Sequence, residues 1–199
     1  MSARRLVRDR SGAAAVEFTM VLPLLLLLLL GIIDAGRWLW EYNRAEKATQ
    51  MGVRMAVVTN VVAADLATED YVGVGGLTAG DTIPASLLGE VVCDSVGDCS
   101  CTGGNCPGLT RDANAFAAIV ARMQDFKPDI QPANVEVVYR GSGLGFAGDP
   151  TGMQVSPLVT VRLKGLEFQP VTGLLIPTIT MPSFSATLTA EDSVGIQSN

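Results

Sequence analysis

The feature that most constrains this chain is an apolar run from Ala13 to Ile33, in which Glu17 is the one ionisable residue. As a helix, this run would be about 31 Å long at a rise of ~1.5 Å per residue, which matches a hydrocarbon core of roughly 30 Å. Pro23 lies among the leucines, a position that membrane helices tolerate better than isolated helices in water. The run therefore predicts one membrane-spanning helix.

A cleavable signal peptide is the alternative interpretation, because it also combines a basic leader with an apolar core. Two features oppose it. The run is longer than a typical signal-peptide core, and residues 34–40 lack a convincing small-x-small cleavage site. We therefore expect the apolar helix to remain part of the chain.

The charges before the run predict its orientation. Residues 1–12 form a basic leader with four arginines and one aspartate, a net charge of +3. By the positive-inside rule, this leader lies in the cytoplasm and the chain beyond about Arg37 lies on the opposite side of the membrane. The sequence thus predicts a single-pass protein whose C-terminal part is exported.

Aromatic and charged residues follow the run directly. Trp38, Trp40 and Tyr42 have amphipathic rings that are expected at headgroup level, where they would be membrane-interface anchors at the end of a transmembrane helix over residues 13–40. Asp34 and Arg37 are at pairing distance on a helix, but exposed pairs contribute only about 0.3–0.5 kcal/mol. We interpret such charges as a solvated collar.

A motif at the start of the run resembles a known processing site. Gly12 is followed by AAAVEF, which places Glu17 and Phe18 five and six positions after the glycine. This pattern resembles the prepilin-peptidase site of type IV pilins. The longer string GAAAVEFTMVLPLLLLLLLGIIDAGRWLW, continued by AEKATQMGVRMAV, resembles the TadE-like minor pseudopilins of tight-adherence (Flp) pilus systems, over about the first third of the chain. The length of 199 residues fits this family better than the usually longer TadG-like relatives.

The resemblance implies cleavage after Gly12 by prepilin peptidase, which would leave Ala13 as the new N-terminus. It also implies a bacterial inner-membrane protein whose C-terminal domain is periplasmic or extracellular. Its implied partners are prepilin peptidase, other Tad or Flp pilins or pseudopilins, and inner-membrane assembly proteins. By analogy with type IV pilins, the Glu17 carboxylate, which is costly in lipid, is expected to pair with the free amine of Ala13 in a neighbouring subunit. The alternative is that Glu17 lies at headgroup level and is hydrated.

Helical spacing continues beyond the apolar run. Between residues 43 and 66 there is no proline, and small or apolar residues recur at steps of three and four. We expect the membrane helix to extend over residues 41–68, with this small-residue face packed in the core of the exported domain. The face consists of Ala45, Ala48, Gly52, Met55, Ala56, Thr59, Val62, Ala63 and Leu66.

Four cysteines lie within fourteen residues, in a Gly- and Asp-rich stretch where regular structure is doubtful: Cys93, Cys99, Cys101 and Cys106. The chain has no histidine and no CxxC spacing, so we expect neither a metal site nor a cofactor. An exported, oxidising compartment favours two disulfides instead. Cys99 and Cys101 are too near to bond comfortably with each other. Two pairings remain open: Cys93–Cys99 with Cys101–Cys106, or Cys93–Cys101 with Cys99–Cys106.

The remaining residues, 69–199, predict an α+β domain. The pattern indicates an amphipathic helix at 112–126, with Asp112 as its N-cap. Partial alternation indicates two antiparallel neighbouring strands at 134–140 and 158–163, joined by a glycine-rich hairpin connection. A hydrophobic crossing segment at 168–179 and a third strand at 183–189 follow. The predicted fold is therefore pilin-like, a long N-terminal helix packed on a small antiparallel sheet.

Composition excludes several function classes. Without histidine there is no Ser/His/Asp or Cys/His catalytic arrangement, and HExxH, GxSxG and P-loop motifs are absent, so we expect no enzyme. Beyond residue 60 the chain has six basic and fifteen acidic residues, which disfavours nucleic-acid binding. Two hypotheses remain: a minor pseudopilin that supports pilus biogenesis, secretion and adherence, or a single-span envelope-anchored binding or adhesion module that uses the Cys-rich loop at 93–106.

Overall fold

A computed structural model describes residues 11–107, 109–150, 152–173 and 176–190. The basic leader at residues 1–10 lies outside the described residues. The helices are α1 (Ser11–Val58) and α2 (Ala113–Gln124), and the strands are β1 (Glu90–Cys93), β2 (Ser100–Thr102), β3 (Val135–Arg140), β4 (Leu158–Leu163), β5 (Glu167–Phe168), β6 (Ile179–Thr180) and β7 (Phe184–Thr189). Short 3-10 helices are Ala64–Ala67, Val74–Gly76 and Pro132–Asn134.

The chain divides into two compact units. The first unit comprises Met1–Glu41 with Glu167–Ile179, and the second unit comprises Tyr42–Leu166 with Thr180–Asn199. The boundary therefore falls inside α1, between Glu41 and Tyr42, so that each unit contains part of the same helix.

The helical part of the first unit is apolar and exposed. Among the described residues, α1 is the one helix long and apolar enough to cross a membrane, and no residue of its most apolar stretch is buried. The later part of this unit begins with β5, which pairs with β6 in a two-stranded sheet. The hydrophobic crossing segment predicted at 168–179 thus overlaps both strands of this small sheet.

Helix α1 ends at Val58, so the predicted helical extension to residue 68 is too long. The sequence from Val57 to Val62 is VVTNVV, and β-branched side chains lose rotamer freedom in a helix. The chain then makes tertiary hydrogen bonds: Val62 N–H donates to the Oη of Tyr139 over 2.8 Å. Burial raises the pKa of Tyr139, so this hydroxyl stays neutral and available as an acceptor.

The second unit contains a five-stranded antiparallel sheet with the order β2-β1-β3-β4-β7. β3 and β4 are antiparallel neighbours, with Val137 opposite Val161, and β7 pairs with the other side of β4. These strands confirm the predicted ones to within one residue at either end. The long helix and the small antiparallel sheet confirm the α+β fold class.

The second half of α1 contributes to the core of the second unit. A Cβ atom added to Gly52 would lie 2.8 Å from Cγ and Sδ of Met123 in α2 and 3.4 Å from Cγ1 of Val161 in β4. The helix backbone therefore approaches both elements closely. All nine residues of the predicted small-residue face are buried, which confirms that this face belongs to the core.

Helix α2 forms where the sequence predicted an amphipathic helix. Asp112 is its N-cap, and Oδ1 of Asp112 accepts hydrogen bonds from the backbone N–H of Asn114 at 2.8 Å and of Ala115 at 3.0 Å. Its apolar face is buried: Ala115, Phe116, Ile119, Val120 and Met123. Cap and apolar face together fix the helix that packs on α1.

Candidate assembly site

The residues of the predicted processing site lie together near the start of α1. Gly12, Ala13, Glu17 and Phe18 are all exposed, and a Cβ built on Gly12 would meet no other described residue within 4 Å beyond its chain neighbours and the backbone of its own helix. Ala13 and Glu17 are four residues apart and so share one face of the helix. The site is therefore open to a partner, whereas cleavage after Gly12 stays a prediction.

The apolar surface of α1 extends around the whole helix. Six consecutive leucines, residues 24–29, are all exposed, and consecutive residues of a helix point in different directions. A helix that is apolar on every side is typically surrounded by a protein core or by lipid, and not by water. The exposed large apolar residues are Val16, Phe18, Met20, Val21, Leu24, Leu25, Leu26, Leu27, Leu28, Leu29, Ile32 and Ile33.

A buried carboxylate marks the end of this apolar surface. Asp34 is only 7% exposed, so the prediction that it belongs to a solvated collar is wrong. Its Oδ1 accepts from the backbone N–H of Val171 at 2.6 Å, and its Oδ2 accepts from the backbone N–H of Thr172 at 2.9 Å and from Thr172 Oγ1 at 2.7 Å. Arg37 Nη1 donates to Oδ1 at 3.2 Å. Four donors therefore compensate the burial of one charge.

The partners of Asp34 belong to a compact turn. The backbone N–H of Gly173 donates to the carbonyl of Pro170, and the N–H of Ile176 donates to the carbonyl of Thr172. Arg37 also contacts this segment, because its guanidinium lies 5.4 Å from the centre of the Phe168 ring. Sequence reasoning missed this arrangement, since Asp34 and Thr172 are separated by 138 positions and no local pattern connects them.

The structure does not group the three predicted interface anchors. Trp38 is half-buried and Trp40 is 66% exposed, both in the first unit. Tyr42 is half-buried in the second unit, where its ring packs edge-on against Phe184 with the ring centres 4.9 Å apart. The anchoring role stays a prediction for all three, and Tyr42 has in addition a contact within the folded unit.

The cysteines form two disulfides, Cys93–Cys99 and Cys101–Cys106, which confirms the first of the two predicted pairings. They lie on a hairpin that the sequence did not predict, in which β1 pairs with β2 and Val91 lies opposite Cys101. These strands have four and three residues, too few for a recognisable alternation. Within the described residues, no cluster of three or more metal-ligating side chains occurs.

Comparison with known proteins gives one finding for the N-terminal region. A family model described as TadE-like protein matches residues 12–54, a range that includes the processing motif, the apolar helix, Asp34 and Gly52. No curated protein and no solved structure matches the chain. The family match confirms the resemblance drawn from the motif: residues 12–54 are similar to the TadE-like family, which suggests involvement in a Tad pilus system.

Proposed function

We propose that the chain is a minor pseudopilin of a Tad/Flp-type pilus assembly or secretion system, processed by prepilin peptidase after Gly12. In this role it supports pilus biogenesis and adherence. The observation that carries the proposal is the TadE-like match at residues 12–54. The exposed motif from Gly12 to Phe18 supports it, because a peptidase must reach the bond it cleaves.

The physical role of α1 would be lateral packing in the membrane. Because this part of α1 is apolar on every side, it can contact both lipid and neighbouring helices. Glu17 is the exception, since a carboxylate at the centre of a bilayer costs about 2.5–3.5 kcal/mol. Pairing with the free amine of a neighbouring, processed subunit would remove that cost and would select processed subunits for assembly.

The N-terminus would then lie in the cytoplasm, and the second unit would lie on the opposite side of the inner membrane. Two disulfides within one short hairpin support an oxidising compartment for this unit. Its partners would be other Tad or Flp pilins or pseudopilins and the inner-membrane assembly proteins. The role is structural, and the chain catalyses no reaction.

Mass spectrometry of the membrane-bound chain tests the processing step. We expect a mature N-terminus at Ala13 in cells with prepilin peptidase and an intact leader in cells without it. A Gly12→Leu variant should keep the leader in both strains. A Gly36→Leu variant, which changes another unobstructed glycine of the same helix, should be processed normally. An intact leader in every strain, or a start at Gly36 or beyond, would contradict the proposal.

A Glu17→Gln variant tests the pairing separately. Gln has nearly the same shape but no charge, so we expect processing at Ala13 to continue and pilus assembly to fall. Normal piliation with this variant would show that the charge pair is not needed.

A binding or adhesion module is the second candidate function. The observation that favours it is Val96, which is 78% exposed in the loop closed by Cys93 and Cys99. An exposed apolar side chain on a covalently fixed loop is a typical contact residue. A Val96→Asp variant that forms normal pili but no longer mediates adhesion would favour this candidate over a purely structural role.

A further inference from the structure

The segment at residues 168–179 is uncharged and presents apolar side chains to its surroundings. Its sequence is FQPVTGLLIPTI, without Asp, Glu, Lys or Arg. Val171 is 58% exposed, Ile176 is 43% exposed and Ile179 is 41% exposed. Several exposed apolar side chains in one short uncharged segment are typical of a contact with a partner.

The hydrogen bonds to Asp34 fix the level of this segment along α1. Val171 and Thr172 donate directly to the carboxylate of Asp34, and Asp34 follows Ile33, the last residue of the apolar run. If α1 crosses a bilayer, this position lies where the hydrocarbon core meets the headgroups. The segment therefore lies at the depth of the membrane interface.

Segment and helix share one apolar cavity of about 540 Å³. On the helix side its lining extends from Gly31 to Leu39, about 12 Å along the axis at ~1.5 Å per residue. On the segment side its lining includes Phe168, Pro170 and Ile176. The cavity is open on one side, so its apolar walls are continuous with the apolar surface of α1.

Several polar groups of this region are paired within the first unit. The Asp34 carboxylate has four donors, and the turn at Pro170 and Thr172 pairs its own backbone groups. A segment that enters a lipid interface needs this internal pairing, because lipid offers no hydrogen bonds in exchange. Trp40, exposed beside Leu39, is a residue type that prefers the same interface.

We propose that the segment at 168–179 is a second membrane-contacting element, whose exposed side chains Val171, Ile176 and Ile179 insert into the lipid leaflet through which α1 leaves the bilayer. Lipid is the occupant that fits, because the surface continues the surface of the spanning helix and the segment itself has no charged residue. The segment lies on one side of α1 and is held there by Asp34. Its insertion would therefore restrict rotation of the helix about its own axis, which a single span alone does not do.

Quenching of tryptophan fluorescence by brominated lipid tests this insertion. The full chain, with Trp38→Phe and Trp40→Phe, is reconstituted into phosphatidylcholine vesicles whose acyl chains carry bromine near the headgroup. A single tryptophan is then introduced by Ile176→Trp or, as an independent position, by Val171→Trp. We expect both to be quenched, because bromine quenches only at short range.

Two control positions make the result decisive. Leu28→Trp, inside the apolar run, reports whether α1 is inserted and is measured in vesicles whose acyl chains carry the bromine at greater depth. Val96→Trp reports an exposed apolar position of the second unit. Quenching at 28, 171 and 176 but not at 96 supports the proposal. Quenching at 28 alone overturns it, and cross-linking of two chains at residue 176 would then identify a second copy as the occupant. Absence of quenching at 28 would overturn membrane insertion itself, and equal quenching at 96 would overturn a specific contact.

Discussion

The two halves of α1 belong to one helix but differ in the size and the exposure of their side chains. From Val16 to Ile33 large apolar side chains are exposed, whereas from Ala45 to Ala56 mostly small side chains are buried. Large exposed leucines suit an apolar solvent, because every side of the helix can contact acyl chains. Small buried residues instead allow a sheet and a second helix to approach the backbone closely. Secondary structure alone therefore says little about the surroundings of a helix, and side-chain size and exposure separate a membrane helix from a core helix.

Substitution of one glycine in each half of α1, Gly52 and Gly36, should have the largest effect and tests this contrast directly. Gly52→Leu would place its Cβ 2.8 Å from Met123 and its remaining carbons in a filled core, so we expect a loss of about 3 kcal/mol in the free energy of unfolding. Gly36→Leu meets no atom within 4 Å at Cβ and should leave stability unchanged or slightly raised. Urea unfolding of the detergent-solubilised chain measures both variants, and equal losses would contradict the contrast.

Removal of either disulfide should have the next largest effect. The bridges close loops with separations of six and five residues, for which chain entropy predicts about 2 kcal/mol each. Cys93 and Cys99 are buried, whereas Cys106 is exposed. The Cys93→Ser/Cys99→Ser variant should therefore lose more stability than Cys101→Ser/Cys106→Ser, because it also buries two hydroxyl groups. The same urea experiment compares the pairs, and a larger loss from the second pair would show that burial does not decide the order.

Sequence reasoning succeeded where a local pattern carries the structure. The small-residue face of α1, the N-cap at Asp112 and the alternation in β3 and β4 were all predicted from spacing within a few residues. It failed where the structure depends on contacts between residues that are far apart in the sequence. The end of α1 depends on the hydrogen bond from Val62 to Tyr139, and the burial of Asp34 depends on Val171 and Thr172.

The candidate site was predictable only in part for the same reason. The motif from Gly12 to Phe18 is contiguous, so a single sequence is sufficient to recognise it. The turn that binds Asp34 contains no motif and lies far along the chain. Without its tertiary contacts, Asp34 resembled an ordinary exposed helix charge, although the structure makes it the link between α1 and the segment at 168–179.

A smaller, local effect should follow from Asp34→Asn in the first unit. Asn keeps the shape but loses the charge and can accept fewer strong hydrogen bonds, so the amides of Val171 and Thr172 lose their acceptors in part. We expect their hydrogen exchange to accelerate on the order of tenfold, with little change in the urea midpoint of the second unit. Amides of β4 provide the internal control. Unchanged exchange at residues 171 and 172 would show that the turn is stable without the carboxylate.

The smallest effect should be the dependence of the second unit's stability on pH. Asp81 accepts from the backbone N–H and the Oγ1 of Thr78, both at 2.7 Å, and these bonds lower the pKa of Asp81 below its ordinary value of 3.8. A carboxylate whose pKa is lower in the folded state adds stability that is fully present above the unfolded value. That stability is lost as the pH falls through the folded value. The urea midpoint should therefore decrease on acidification below about pH 4, and less so in an Asp81→Asn variant.

Thr78→Ala is the matched control for this titration, because it removes the hydroxyl donor and keeps the backbone donor. The backbone hydrogen bond has the larger influence on the pKa of Asp81, so Thr78→Ala should weaken the acid dependence less than Asp81→Asn does. Asp70, whose pKa is lowered by hydrogen bonds from the Val72 backbone and the Gln154 side chain, contributes a second acid-sensitive group in the same unit. The Asp81→Asn variant should therefore retain part of the slope, and adding Asp70→Asn should reduce it further. A slope unchanged by both substitutions would mean that acid acts through other carboxylates.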